Sequence, residues 1–548
     1  MVSKLTHHFG RSFCTMGLLL GALLFAVSLS PSLLPRPPLL QGVVSGVAFA
    51  AGYAIGFWAR WLWQYLELPV LHGWPNTLVR IVAALFCVAV AAFFLWRMGA
   101  WQDSVRDLMS MAPTDGAHRI QVALLAAAVF AVLLILARLF VLTADVASRA
   151  IRRHIPRRVS RVLGLVVAVV AFWSVVDGVI FRLGLRTADS FYQQLDAVLD
   201  DAIQRPTDPL QTGSPASLVA WRDLGRMGRR FIAETPSTET LSASTGKAAM
   251  VPLRVYVGLN AADTVETRAD LALAELKRVG AFARSVLILA TPTGTGMIDR
   301  AAIAPVEHLL GGDVATVAVQ YSYLSSWLAL LTEPGYGAET AQVLFDRVYG
   351  YWTSLPEDAR PRLYLHGLSL GALNSDLSFD LFDVIGDPLG GAVWSGPPFA
   401  KPTWRSATLG REPESPAWLP RFRDGSVIRF ANQHGLTEAE ADWGPMRIVY
   451  LQYASDPITF FEPRMFYRRP EWLEPPRGPD VSPDLRWYPV VTFLQLIADM
   501  PVSMAAPVGY GHVYAPGHYL DAWRAVLDVP EWDDDAIERL EARLSGHP

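Results

Sequence analysis

The sequence predicts two parts: an amino-terminal all-α transmembrane bundle of about five spans, followed by an α/β domain with a mostly parallel sheet. The 548 residues are 52% hydrophobic and 18% charged, and the mean hydropathy is +0.26. Apolar runs of membrane-spanning length occur before residue 185, whereas short apolar strands alternate with amphipathic helices after residue 251. We therefore predict a membrane region 1–185, a linker with an amphipathic segment at 186–250, and a folded domain 251–548.

The charge and the cysteine content exclude several classes of protein. The formal net charge is −4, so no overall basic field favours nucleic acid as a partner. Both cysteines, Cys14 and Cys87, lie within apolar runs, and no zinc or redox spacing is present. We expect neither a disulfide, nor a metal ion, nor another cofactor.

Five apolar segments precede residue 185, each about as long as the hydrocarbon core of a membrane requires. They are Phe13–Leu29, Leu39–Trp58, Leu78–Trp96, Ile120–Val141 and Val162–Phe181. Lys4 and Arg11 precede the first segment, as in a signal peptide, but no small-residue cleavage site follows it. We interpret that segment as a retained anchor.

Loop charges predict the orientation of the spans. The region between the fourth and fifth spans carries Arg149, Arg152, Arg153, Arg157, Arg158 and Arg161, with no acidic residue among them. Such a loop is retained in the cytoplasm under the positive-inside rule. With five spans, the chain after Leu185 is then expected outside the cytoplasm.

The second span carries glycines at the spacing that permits close helix packing. They are Gly42, Gly46, Gly52 and Gly56. We interpret this pattern as packing within the chain, with dimerisation as the alternative. The oligomeric state stays open.

Seven apolar segments after residue 251 predict strands, and the helical patterns between them predict a sheet covered on both faces. The strands are Leu253–Leu259, Ser285–Ala290, Val314–Gln320, Leu363–Leu365, Gly391–Trp394, Ser426–Phe430 and Ile448–Tyr453. Two Trp-, Pro- and Arg-rich stretches, 397–423 and 460–487, lack periodicity and are interpreted as insertions that shape a pocket. Ser237–Ser244 is expected to be a loop.

The strongest functional signal is Gly367-Leu368-Ser369-Leu370-Gly371, which fits the G-x-S-x-G pattern between a predicted strand and a predicted helix. In a nucleophile elbow the serine lies in a strained turn, and flanking glycines avoid collisions with the neighbouring backbone. A chance match of five residues is the alternative. The strand before and the helix after favour Ser369 as a nucleophile.

A serine nucleophile needs a base, an orienting acid and an oxyanion hole, and in α/β-hydrolases the acid and the histidine follow the serine in the chain. Asp456 directly follows the last predicted strand, although an exposed turn aspartate is the alternative. His512 lies on a glycine-rich loop before a terminal helix, and His518 is the competing base. His366 precedes the serine, and we expect it to pack beneath the elbow.

The oxyanion hole is predicted from two segments. One donor is the backbone amide of Leu370, directly after the nucleophile. The second donor is expected from the glycine-rich turn Thr293-Gly294-Thr295-Gly296, which follows a predicted strand. A phosphate-binding loop is the alternative for this turn, but the Lys-Ser/Thr ending of a P-loop is missing.

Eight short segments carry a resemblance to a known family. They are Ser30–Arg36, Arg254–Leu259, Thr293–Gly296, Gln320–Leu324, Gly367–Gly371, Ser395–Phe399, Ser455–Pro457 and Gly511–Tyr514. Together they resemble bacterial membrane proteins that join a multi-span amino-terminal region to a family-9-type α/β-hydrolase domain. The resemblance implies a serine hydrolase with Ser369, Asp456 and His512 as its triad. Leu368 departs from the acidic residue common at that position, which affects the pocket floor and not the triad.

The predicted function is that of a membrane-anchored serine hydrolase, carboxylesterase- or lipase-like, which cleaves acyl esters through an acyl-enzyme. Its expected partners are the lipid bilayer and an acyl-ester substrate, with lipid esters among the candidates. The expected location is the bacterial inner membrane, multi-pass, with the catalytic domain outside the cytoplasm. Acyl transfer to an envelope acceptor, or a non-catalytic transport or assembly role, are the alternatives.

Overall fold

The computed structural model describes residues 13–69, 73–114, 118–178, 196, 203–324, 335–527, 529 and 532–546. The chain divides into two compact units. The helical unit comprises Met1–Thr187, Phe461–Leu473 and Pro479–Ala506, and the sheet unit comprises Ala188–Phe460, Glu474–Gly478 and Pro507–Pro548. Most of the predicted insertion 460–487 therefore groups with the helices, which differs from its expected place in the 251–548 domain.

The described helices and strands are as follows. The α-helices are α1 (Thr15–Ser28), α2 (Pro38–Tyr65), α3 (Trp74–Leu108), α4 (Arg119–Ile151), α5 (Arg157–Val175), α6 (Gly225–Ala233), α7 (Thr238–Thr245), α8 (Val265–Arg278), α9 (Arg300–Leu309), α10 (Tyr336–Thr353), α11 (Leu370–Asp376), α12 (Leu381–Val384), α13 (Pro402–Leu409), α14 (Pro457–Phe460), α15 (Val491–Asp499), α16 (Pro516–Val526) and α17 (Asp534–Ser545). The strands are β1 (Leu253–Val257), β2 (Val286–Thr291), β3 (Val314–Val319), β4 (Arg362–Leu368), β5 (Gly391–Ser395), β6 (Ile428–Asn432), β7 (Gly435–Leu436) and β8 (Arg447–Leu451).

Four helices of the helical unit are long and apolar enough to cross a membrane: α2, α3, α4 and α5, the last counted through Gly178. Helix α1, predicted as the first span, has 14 residues and is shorter than a hydrocarbon core requires. The described residues thus contain four candidate spans where the sequence predicts five. The end of the predicted fifth span, after residue 178, lies outside the described residues.

The glycines of α2 allow close approach to α1 and α4. A Cβ atom added to Gly52 would lie 2.5 Å from the carbonyl oxygen of Leu20, and one added to Gly46 would lie 2.6 Å from Cβ of Val129. Both distances are shorter than a van der Waals contact, so a larger residue would push the helices apart. The glycine spacing of this helix therefore serves packing within the chain.

A buried ion pair ties α15 to the loop between α1 and α2. Nε of Arg36 lies 3.4 Å from Oδ1 of Asp499, and neither side chain is exposed. The amide of Leu33 donates to Oδ2 of Asp499 at 3.2 Å, and Nε2 of Gln495 donates to the carbonyl of Ser30 at 3.0 Å. Because removing one partner would leave a buried charge uncompensated, this segment from late in the chain is an integral part of the bundle.

The sheet unit has one sheet with the strand order β1-β3-β2-β4-β5-β8-β6-β7. The neighbouring strands are parallel, except that β7 is antiparallel to β6. Every residue of β3 and β5 is buried, as expected for strands covered on both faces. The predicted mostly parallel sheet is confirmed, and the short β7 is an addition to it.

Two helices of the sheet unit correct or extend the sequence interpretation. The expected loop Ser237–Ser244 was wrong, because α7 occupies this stretch. The hydroxyl of Ser237 caps the helix by accepting the amide of Thr240 at 3.2 Å. Helix α9 was not predicted, and its N-cap is Asp299, whose carboxylate accepts the amide of Ala301 at 2.9 Å.

We predict that Gly52→Ile destabilises the helical unit, because the new side chain would collide with the backbone of α1. Overpacking of this kind costs about 1–3 kcal/mol, so the apparent melting temperature of the full chain in detergent should fall by several degrees. Ala54→Ile is the matched control, since Ala54 lies exposed on the same helix. Equal melting temperatures for the two variants would contradict the packing role.

Candidate active site

The backbone at Ser369 is strained in the way a nucleophile elbow requires. Ser369 joins β4 to α11 with φ 57° and ψ −123°, a region that costs a non-glycine residue about 1–3 kcal/mol. A Cβ atom on Gly367 would lie 2.3 Å from the carbonyl carbon of Gly371, and one on Gly371 would lie 2.2 Å from the oxygen of Thr291. Only glycine therefore fits at positions 367 and 371.

The neighbouring strand and a buried lysine hold the elbow in place. The amide of Ser369 donates to the carbonyl of Ser395 at the end of β5, at 3.0 Å. Nζ of Lys401 donates to the carbonyl of Ala372 in α11 at 2.7 Å and lies 3.4 Å from the ring centroid of Trp394. Burial lowers the pKa of Lys401 to about 7, although the nearby Asp376 opposes the shift.

The structure brings Asp456 and His512 together at the edge of the sheet where β4 and β5 end. Nδ1 of His512 and Oδ2 of Asp456 are 2.7 Å apart, and both side chains are buried. Asp456 lies shortly after β8, whose end pairs in register with the end of β5. The amide of Gly511 donates to Oγ of Ser455 at 2.9 Å and so fixes the histidine loop to the acid loop.

Further donors surround the Asp456 carboxylate. The hydroxyl of Tyr514 donates to Oδ2 at 2.7 Å, that of Thr459 donates to the same oxygen at 3.2 Å, and the amide of Ile458 donates to Oδ1 at 2.9 Å. Burial, reinforced by the Asp456 charge, raises the pKa of Tyr514 well above its usual value. The tyrosine therefore stays protonated and acts only as a donor to the acid.

The other nitrogen of the His512 ring, Nε2, is buried and makes no hydrogen bond within the described part of the chain. The ring packs so closely on Gly396 that a Cβ atom there would lie 2.4 Å from Cε1. Gly396 directly follows Ser395, the residue that accepts the amide of Ser369. The end of β5 therefore contacts both the elbow and the imidazole.

The two competing histidines have other surroundings. Nδ1 of His518 lies 2.5 Å from the hydroxyl of Tyr453, and burial, followed by the charge of His434, lowers its pKa to about 4. Nδ1 of His366 donates to the carbonyl of Val393 at 2.8 Å, and burial lowers its pKa to about 4. His366 is a buried residue of β4, as expected from its position beside the elbow.

The glycine-rich turn predicted for the oxyanion hole uses two of its own amides. The amide of Thr293 donates to Met297 at 3.0 Å, and that of Gly296 donates to Thr293 at 2.9 Å. The hydroxyl of Tyr256 donates to the carbonyl of Gly296 at 2.7 Å and so stabilises the turn. The amides of Thr293 and Gly296 are therefore already engaged within the turn.

A family model described as the alpha/beta-hydrolase family matches residues 253–540, more than half of the chain. The chain belongs to alpha/beta-hydrolase family 9. A second model, for the N-terminus of this family, matches residues 29–236. The family that the sequence resembles, the presence of its N-terminal region and the predicted fold class are thus confirmed. Neither a search of curated proteins nor a search of solved structures gave a match.

This member of family 9 also has a half-buried carboxylate near His512, Asp299, which the sequence analysis did not identify. Asp299 accepts the hydroxyl of Tyr519 at 3.0 Å, and that hydroxyl lies 2.5 Å from Oγ of Ser395. Burial raises the pKa of Asp299, although the amide of Ala301, Tyr519 and the nearby His512 oppose the shift. Its signal was the N-cap position before α9, a helix that the sequence interpretation did not assign.

We predict that His366 makes the hydrolase less stable at low pH. Its pKa of about 4 in the folded protein is below the usual 6.5, so the unfolded chain binds more protons between these values. Stability therefore falls as the pH drops below about 6.5, by up to about 3 kcal/mol for this one group. His366→Asn keeps a donor for Val393 but does not titrate, so its melting temperature should fall less between about pH 7 and about pH 5.

His154→Asn is the control for this comparison, because His154 is exposed. That variant should show the pH dependence of the unmodified protein. Identical pH dependence for His366→Asn and the unmodified protein would contradict the assignment.

Proposed function

We propose that this protein is a membrane-anchored serine hydrolase that cleaves acyl esters with Ser369, His512 and Asp456. The observation that carries the proposal is the buried pair of Asp456 and His512, 2.7 Å apart. It lies at the strand ends beside a serine with a strained, glycine-flanked backbone. A buried carboxylate that holds one imidazole nitrogen and leaves the other unpartnered is the arrangement that a general base requires.

In the proposed reaction, Oγ of Ser369 attacks the carbonyl carbon of the ester while Nε2 of His512 accepts the hydroxyl proton. Asp456 stabilises the resulting imidazolium through Nδ1. The tetrahedral intermediate then collapses, and the alcohol leaves with the proton from His512. A water molecule, deprotonated by His512, attacks the acyl-enzyme. The bond between the acyl carbon and Oγ of Ser369 then breaks, the acid is released, and His512 returns the proton to Oγ.

The negative oxygen of the tetrahedral intermediate needs preorganised donors. Leu370 supplies one, because its amide is at the first position of α11, where a helix offers no internal acceptor. For the second donor we propose the amide of Thr295, in the turn in which the amides of Thr293 and Gly296 already donate to the turn itself.

Hydrogen bonds to Ser369 Oγ are expected to form when substrate binds. Nε2 of His512 makes no hydrogen bond with any described residue, so it does not accept the hydroxyl of Ser369 in this structure. Catalytic hydrogen bonds commonly lengthen in the unliganded enzyme and tighten around the substrate.

We propose that the hydrolase unit lies outside the cytoplasm. The positive-inside rule favours the cytoplasm for the arginines that precede α5, the last candidate span. The chain after α5 then lies outside, whether or not α1 crosses the membrane. Covalent attachment to a bundle of membrane helices favours lipid esters as substrates. The proposed location is the bacterial inner membrane.

We predict that Ser369→Ala abolishes both ester hydrolysis and labelling by a fluorophosphonate probe in the full-length protein. His512→Gln should lower kcat by about a thousandfold or more, because it removes the proposed acceptor of the serine proton. Hydrolysis of p-nitrophenyl esters of graded chain length gives the rates. His518→Gln is the matched control and should retain most of the activity.

Three outcomes would redirect the proposal. Equal losses in the two histidine variants would remove His512 from the role of base. Unlabelled Ser369 would support the non-catalytic alternative, and transfer of a labelled acyl group to an added alcohol instead of water would support acyl transfer.

Labelling of intact spheroplasts by a membrane-impermeant fluorophosphonate tests the orientation, and labelling only after lysis would contradict it.

We predict that Tyr514→Phe lowers kcat by about tenfold while leaving KM nearly unchanged, because it removes one donor from Asp456. Without this donor the carboxylate is held less firmly in place against Nδ1 of His512, so the imidazole is less well oriented for proton transfer. A purely structural role would lower the melting temperature and leave kcat of the folded protein unchanged.

A further inference from the structure

The two halves of the proposed oxyanion hole come from different parts of the chain. The amide of Leu370 lies at the start of α11, directly after the nucleophile, whereas the glycine-rich turn 293–297 follows β2. A donor stabilises an oxyanion only when it lies within about 3 Å of it, so the rate depends on how the two segments are spaced. A group of hydrogen bonds that the proposed reaction does not use joins them.

The first part of this group attaches the turn to α16. Asp299 lies two residues after the turn, and its Oδ1 accepts the amide of Ala301 at 2.9 Å and so caps α9. Oδ2 accepts the hydroxyl of Tyr519 from α16, at 3.0 Å. Trp523, one turn further along α16, donates to the carbonyl of Ala302 at 2.8 Å. The chain that continues from the turn is therefore bonded to α16 at two points.

The second part of the group connects Tyr519 to the elbow. The hydroxyl of Tyr519 has one proton, which it donates to Asp299. Its contact of 2.5 Å with Oγ of Ser395 is therefore a hydrogen bond that the serine donates. The backbone carbonyl of Ser395 accepts the amide of Ser369 at 3.0 Å, and the next residue contacts the imidazole of the proposed base. A continuous path of hydrogen bonds thus runs from the turn to the nucleophile.

Burial strengthens this path and keeps its central hydroxyls away from substrate. Ser395 and Tyr519 are both 0% exposed, and hydrogen bonds are electrostatically stronger in such surroundings than in water. Burial, followed by the charge of Asp299, raises the pKa of Tyr519 well above its usual value, so the hydroxyl keeps the proton that it donates. Because neither hydroxyl can touch a substrate, both act on the reaction only through the position of their neighbours.

We propose, on the basis of the hydrolase function proposed above, that Tyr519 and Ser395 are positioning residues of the oxyanion hole. Together with Asp299 they form a bridge that holds the turn 293–297 and the elbow at the spacing that the tetrahedral intermediate requires. Interactions that are made only in the transition state raise kcat and leave the binding of substrate unchanged. Loss of the bridge should therefore lower kcat and leave KM nearly unchanged.

The test measures ester hydrolysis by the full-length protein in a mild detergent, and its inhibition by a trifluoromethyl ketone with the same acyl chain as the ester. In the inhibited protein Oγ of Ser369 bonds to the carbonyl carbon, the hydroxyl proton passes to His512, and the carbonyl oxygen becomes an oxyanion. Tyr519→Phe removes the shared hydroxyl and keeps the ring. It should lower kcat about tenfold and weaken inhibition by the ketone by a similar factor, with little change in KM.

Ser395→Ala is a second variant, which keeps the test decisive if Tyr519→Phe fails to fold. It removes the hydroxyl that Tyr519 accepts and keeps the backbone carbonyl for Ser369. It should also lower kcat and ketone inhibition together, and the double variant should be no slower than Tyr519→Phe alone, because the two side chains act in one network. Tyr349→Phe is the matched control, since its hydroxyl donates to the carbonyl of Asp387 at 2.9 Å, outside the bridge. It should keep both kcat and ketone inhibition.

The Ser369→Ala variant separates failure of the bridge from failure of the proposed function. If Ser369→Ala abolishes hydrolysis while Tyr519→Phe and Ser395→Ala keep kcat and ketone inhibition, the bridge has no part in the oxyanion hole and the proposed function is unaffected. Lower melting temperatures in these two variants, with unchanged kcat, would assign the bridge to stability alone and overturn the proposal. Full hydrolysis by Ser369→Ala would instead overturn the proposed function, and the positioning role with it.

Discussion

The unusual backbone of Ser369 is the constraint on which the rest of the sheet unit depends. A serine with positive φ between β4 and α11 is stable only if the surrounding structure leaves it no alternative. The strand end, the helix start and the neighbouring chain approach within the space that a single methyl group would fill at Gly367 and Gly371. Lys401, buried behind α11, adds a hydrogen bond to the same helix. These contacts together hold the strained backbone of Ser369 in place.

Buried hydrogen bonds hold Asp456 and His512 in place. Asp456 is fully buried, yet it accepts hydrogen bonds from an imidazole, two hydroxyls and a backbone amide. Hydrogen bonds in a low-dielectric surrounding are electrostatically stronger than in water, so these contacts hold the carboxylate firmly against the imidazole. The preorganised dipoles around the acid need little rearrangement during a reaction, which is the main electrostatic advantage of an enzyme over water.

Sequence patterns predicted the parts of the fold that have strong local signals. The strands of the parallel sheet are buried apolar runs, and the elbow has both a motif and a strand-turn-helix context, so they could be recognised without neighbours. The loop placement of Asp456 and His512 followed from chain order, and the structure brings these two side chains together. Their catalytic roles remain a proposal.

Other features could not be predicted because the local sequence carries little or no signal for them. Helix α7 is short and polar, so its only local signal is the N-cap residue Ser237. The sequence predicted the amides of Thr293 and Gly296 as candidate oxyanion donors, but in the folded turn both amides donate to carbonyls of the turn. The Arg36–Asp499 pair joins residues too distant in the chain for any periodicity to relate them.

The helical unit is assembled from discontinuous pieces of chain, and this affects biosynthesis. The ribosome completes all eight strands of the sheet before it reaches the segment that contains α15. During that interval Arg36 has no Asp499, and the carbonyls of the α1–α2 loop have no Gln495. Helices α1 and α2 are therefore synthesised long before the segment that completes the contacts of the loop between them. In a nascent chain that ends before α15, the guanidinium of Arg36 would lack Asp499 as its counter-ion.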